Sequence, residues 1–127
     1  MNDEILWGQI PKTGNLRTPI TILREQAGLL GEATNNILQG DVSVSRAGED
    51  FLLTLVIIAP SLDNYRYAIL TVHHKMTLYP LLVERLITGG SVQCNNEDSF
   101  KTTLKDILSS PRVHLVIDSL LSQSQAA

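Results

Sequence analysis

The chain has 127 residues, ten basic and thirteen acidic side chains, a net charge of −3 and a single cysteine. That length fits one domain, which can bury a core without a metal or disulfide staple. Scattered charges and mild acidity exclude the basic patch of a nucleic-acid binder; Cys94 alone closes no internal disulfide; and the longest apolar run, Phe51 to Pro60, is too short for a membrane span. Acids rather than cations follow Met1, which argues against a secretory signal. The expectation is a cytoplasmic protein without membrane or nucleic-acid partners.

Residues 1–17 read as an irregular arm. Ile5, Leu6, Trp7 and Ile10 are apolar, and Pro11 to Asn15 form a turn. Four large apolar side chains within six positions suit an arm whose Trp7 docks on the core or on a partner. The bland alternative is a loosely attached terminus.

Thr18 and Pro19 open a helix, as cap and first residue. Apolar spacing through Ile20, Leu23, Ala27, Leu30, Ile37 and Leu38 extends it to a stop at Gly40. Gly28 and Gly31 lie inside this helix with Arg24 and Asn35 beside them. The four form a small-residue flank that can pack on the domain's own sheet or loop, or on the same helix of a second copy.

Strands follow. Asp41 to Arg46 alternates, with Val42 and Val44 on one face. A Gly48 turn leads to Phe51–Ala59, apolar on both faces and so central. Tyr65–His74 is the next strand. Leu78–Leu86 is another, and Pro80 makes it an edge or a bulged strand. A short strand spans Ser91–Cys94. One helix starts near Glu97 and carries Phe100, Leu104, Ile107 and Leu108. Another starts after Ser110 and carries Val113, Val116, Ile117, Leu120 and Leu121. The polar tail 122–127 is expected to fray. The segregated order predicts a single α+β domain over residues 1–127. Its two layers are an antiparallel meander of four to five strands and, on one face, an N-terminal helix with two C-terminal helices.

The strand Tyr65–His74 holds two of the three tyrosines and two of the three histidines. Period-two alternation places Tyr65, Tyr67, Ile69, Thr71 and His73 on one face, and Arg66, Ala68, Leu70, Val72 and His74 on the other. The aliphatic set suits the helix-covered side, so the tyrosines face outward. Tyr79, Arg85 and Trp7 are expected to join them in a binding surface. Half-buried tyrosines are also common strand residues in their own right. His73 and His74 point to opposite faces and cannot chelate one ion together. No metal or cofactor is expected, and Cys94 reads as a structural thiol.

No nucleophile elbow and no phosphate loop occurs. The composition therefore favours a non-catalytic interaction protein that binds another protein or a second copy of itself. In bulk properties alone it is similar to small adaptors, chaperones of secreted effectors and toxin-neutralising proteins. A sensor of small ligands or nucleotides is the alternative. A small hydrolase using His73 or His74 as general base is a third reading.

Overall fold

The structure is a computed structural model that describes residues 4, 6–14 and 16–127. Thr18 caps α1 (Pro19–Ala33), its hydroxyl accepting from the Thr21 amide at 3.3 Å. The helix stops well before Gly40. Asn35 and Asn36 adopt left-handed backbone, φ 51 and 62, which short polar residues tolerate. The Asn36 amide closes the turn on Gly31 O at 2.8 Å, and Thr34 Oγ1 donates to Leu30 O at 2.9 Å. Leu38, expected on the helix, instead returns from the following loop to a fully buried place in the core.

Five strands follow in meander order: β1 (Gln39–Ala47), β2 (Asp50–Ala59), β3 (Tyr65–His74), β4 (Leu81–Arg85) and β5 (Ser91–Cys94). Each pairs antiparallel with its neighbour in sequence. A 3-10 turn (Pro60–Leu62) joins β2 to β3. The expected strand at 78–86 begins only at Leu81, after Pro80, and lies between β3 and β5 rather than at an edge. The edges are β1 and β5.

Two helices end the fold. Asn96 and Ser99 form a reciprocal capping box on α2 (Glu97–Leu108), satisfying two otherwise orphaned amides. Ser110 caps α3 (Pro111–Ala126), with Pro111 at the first position. In the structure α3 runs through the polar tail, Ser124 is buried, and Ser61 Oγ donates to Ser124 O at 3.4 Å.

One core joins the helices to one face of the sheet. Leu53, Leu55, Ile57 and Ala59 of β2 cluster with Leu23 and Ala27 of α1, Phe100 and Leu104 of α2, and Val113 and Leu120 of α3. The expected two-layer α+β architecture is therefore what the chain adopts. Burial of each such side chain contributes about 1.5–3 kcal/mol. The tightest approach is of α1 to β1. A Cβ on Gly40 would lie 2.5 Å from the Ala27 Cα, so only glycine fits there.

Alternation in β3 is broken once. Leu55 pairs with Leu70, but Val56 pairs with Ala68, leaving Ile69 as an extra residue. This is a β-bulge, which puts two residues of one strand opposite one of the other. Because the side-chain period is two, the extra residue exchanges the two faces. Tyr65 and Tyr67 pair with Ala59 and Ile57, and after the bulge Leu70 and Val72 pair with Leu55 and Leu53. All four lie on the helix side. Arg66, Ala68, Thr71 and His73 share the open face.

Candidate interaction surface

The bulge divides the expected tyrosine surface. Tyr65 and Tyr67 do not face outward with Thr71 and His73. They line a groove of about 540 Å³ with Leu62 and with Leu115, Val116 and Gln123 of α3. Tyr79 lies beyond the other end of β3 and packs against the core. Burial pushes its phenol above the usual range, with nearby Glu97 and Cys94 adding to the effect. Arg85 pairs with Leu70 on the helix side and lines a cavity of about 350 Å³ with Thr103, Asp106 and Ser110. Trp7 is 82% exposed and covers none of these residues. Ile5 of the arm lies outside the described residues.

The proposed helix contact also separates. Arg24 and Gly28 are exposed on α1, and nothing lies within 4 Å of a Cβ placed on Gly28. Gly31 is buried beneath its own turn, where a Cβ would stand 3.2 Å from Asn36 Oδ1. Asn35 is past the helix end. The residue whose smallness the helix packing requires is Gly40.

The histidines do lie on opposite faces. His74 stacks on Phe51 with ring centroids 5.1 Å apart. Its Nδ1 is 2.7 Å from the Lys75 carbonyl oxygen; a carbonyl only accepts, so Nδ1 carries the proton. His73 is on the open face, Nε2 3.3 Å from Glu84 Oε1, without the alignment of a hydrogen bond. Among the described residues no three His, Cys, Asp or Glu side chains converge as a metal site. Cys94 is buried, and its Sγ donates to Thr103 Oγ1 at 3.4 Å. No helix among the described residues is long and apolar enough to cross a membrane.

Cross-strand register orders the open face into rows. One runs Ser45, Leu52, His73, Leu82, Gln93, and the next runs Ser43, Thr54, Thr71, Glu84, Ser91. Beyond them lie Asp41, Val56 and Ala68, then Ile58 and Arg66. Arg66 pairs with Asp41 at 3.2 Å. The face is mixed and carries charges of both signs, but its middle is closed to solvent: Thr71 and Val56 are buried.

The edge strand β1 is the feature sequence reasoning missed. Under α1 its first half is covered, and Val42 is buried. From Ser43 to Ala47 every residue is exposed, and Val44 is 48% exposed. Among the described residues no backbone hydrogen bond outside the β1–β2 ladder reaches this half. Protein edges are usually blunted by Lys, Pro, bulges or cover. Here the ladder to β2 is unbroken, Pro and Lys are absent, and the one charge between Ser43 and Ala47 is the exposed Arg46, its guanidinium 5.5 Å from the Phe51 ring centroid. A signal was available: in a meander the first strand is necessarily an edge.

No protein-family model, curated protein or solved structure matches the chain.

Proposed function

We propose that the protein is a non-catalytic interaction module that binds an extended segment of a partner protein alongside β1. The observation that carries this reading is the half-strand Ser43–Ala47 of an edge strand, exposed on both faces and without proline, lysine or a bulge. Strand addition to such an edge takes affinity from main-chain hydrogen bonds and specificity from alternate side chains.

The neighbouring rows support one kind of partner chemistry. On the helix side an aliphatic row crosses the whole sheet: Val44, Leu53, Val72, Val83, Val92. It ends at exposed Val44. A sixth strand with an aliphatic residue opposite Val44 continues the row, and polar residues opposite Ser43 and Ser45 meet the two hydroxyls on the other face. The fitting segment is extended, alternates apolar and polar residues, and lacks proline at its centre.

Selection of displayed peptides on the purified protein tests this. Enriched sequences are expected to alternate with period two, to slow amide exchange in residues 43–47, and to lose at least tenfold in affinity against Val44→Lys. Leu82→Lys, on the open face, should leave affinity unchanged. Peptides that bind Val44→Lys as tightly as wild type would sink the proposal, and loss on Leu82→Lys alone would move the site to the open face.

A further inference from the structure

A second opening lies in the helix layer, and it is independent of the β1 edge. Between α1 and α3 a cleft of about 230 Å³ opens onto the sheet. Leu29, Leu30 and Ile117 form its walls, and Leu55, Ile57 and Ile69 form its floor. Small-molecule pockets commonly span about 300–1,000 Å³, so this cleft suits one or two inserted side chains better than a free ligand. Its lining carries no charged residue.

The arm before α1 has the complementary chemistry. Leu6, Trp7 and Ile10 are 84, 82 and 58% exposed, and residues 5–11 carry no charge. A bidentate pair from Arg17 to Glu25, at 3.0 and 2.7 Å, ties the root of the arm to the surface of α1. The ten residues from Trp7 to that root reach up to about 33 Å when extended, beyond the roughly 22 Å length of α1. Within one chain the arm leaves these side chains in solvent and does not fill its own cleft.

We infer that the cleft receives the arm of a second copy, in a reciprocal exchange that forms a two-fold dimer. Both halves of the contact are then present on every chain, as an isologous interface requires. Inserting Trp7 and laying Leu6 and Ile10 against the rim of the cleft removes roughly 400 Å² per arm. With the cleft walls, and by symmetry, the total comes to about 1,600 Å², the size of a stable interface.

Trp7 is the chain's single tryptophan, so its fluorescence reports on the arm alone. In wild type, emission is expected to shift to the blue and become shielded from acrylamide as concentration rises, in step with a dimer mass in light scattering. Ile10→Glu disables the arm, and Leu29→Glu, at a half-exposed position, disables the cleft; Leu29→Gln is the milder version. Each variant alone should keep the wild-type circular dichroism and remain monomeric with an exposed Trp7. Mixed at high concentration, they should form a heterodimer weaker than the wild-type dimer, because one of the two contacts is restored: the intact arm of the Leu29 variant enters the intact cleft of the Ile10 variant. Four results each overturn the inference: a monomer with exposed Trp7 at every concentration; Trp7 shielded in the monomer, which places the arm in its own cleft; dimers that survive both substitutions; or variants that stay apart on mixing.

Discussion

The two halves of β1 have one alternation and two fates. Gly40 and Val42 lie beneath α1, Gly40 so close to Ala27 that no side chain fits and Val42 almost wholly buried. Val44 and Arg46 continue the same face two and four residues later, and both are exposed. Nothing in the strand's own pattern distinguishes them. What differs is the helix above, which covers the first half and leaves the second as an edge with one face over no layer at all. Burial here is a property of helix placement, and the close approach of α1 is permitted by one glycine.

The strongest way to break that comparison is therefore at Gly40. Gly40→Ala places a Cβ 2.5 Å from the Ala27 Cα and 2.7 Å from its carbonyl oxygen. Backbone cannot yield as a flexible side-chain tip can, so α1 must lift from the sheet. Overpacking costs typically 1–3 kcal/mol and occasionally more; about 3 kcal/mol is expected in urea unfolding. Ala27→Gly should not rescue the variant, because the Cα clash remains. A cost below about 1 kcal/mol would show that α1 is not seated as closely as the geometry has it.

A matched pair sharpens the same comparison. Val42→Ala removes two buried methyl groups and should cost about 2 kcal/mol, from roughly 0.8 kcal/mol per group plus a small cavity. Val44→Ala, on the same face of the same strand, should stay within about 0.5 kcal/mol. Equal costs in denaturant melts would mean that the outer half of β1 is covered in solution. Concentration dependence of the Val44 value would then identify the cover as another chain.

Much of this architecture was legible before any coordinates. The capping signals Thr18-Pro19 and Ser110-Pro111, the apolar stripes of the helices and the Gly48 turn are local, and each element formed where its residues asked. The failures that moved site residues are long-range, whereas the early end of α1 has a local cause. Ile37 and Leu38 kept helical spacing by coincidence, because two asparagines in left-handed backbone end α1 first and the loop carries Leu38 inward. The bulge at Ile69 has no signal in β3 itself: Tyr67, Ile69, Leu70 and Val72 can be read with either alternation until β2 fixes the register. That single residue moved Tyr65 and Tyr67 to the α3 groove and left Thr71 and His73 on the opposite face, Thr71 buried there among its neighbours. Gly40 was read as a helix stop because its partner, Ala27, is a neighbour only in the folded chain.

On the side of the sheet away from α1, α2 packs on β5, with Cys94 against Thr103, and Tyr79 of the loop between β3 and β4 lies near Glu97 and Cys94; Tyr79 tests how tightly that side is closed. Its ring packs on the core, but its hydroxyl is buried with no hydrogen-bond partner among the described residues. An unsatisfied buried polar group costs about 1–3 kcal/mol, so Tyr79→Phe should stabilise the protein by about 1 kcal/mol. The pH dependence supplies an independent sign. Burial raises the folded-state pKa of Tyr79 above its ordinary value of 10.0. In the unfolded chain the phenol ionises first, so above that value the unfolded state binds fewer protons than the folded one, and stability falls as pH rises. The contribution is complete below about pH 10 and is lost between the unfolded and the raised folded pKa. Tyr79→Phe should remove this part of the alkaline slope as well as raise the midpoint at neutral pH. A variant that is destabilised at pH 7, or that keeps the full alkaline slope, would show that the hydroxyl is hydrated and that this side is closed less tightly than the side under α1.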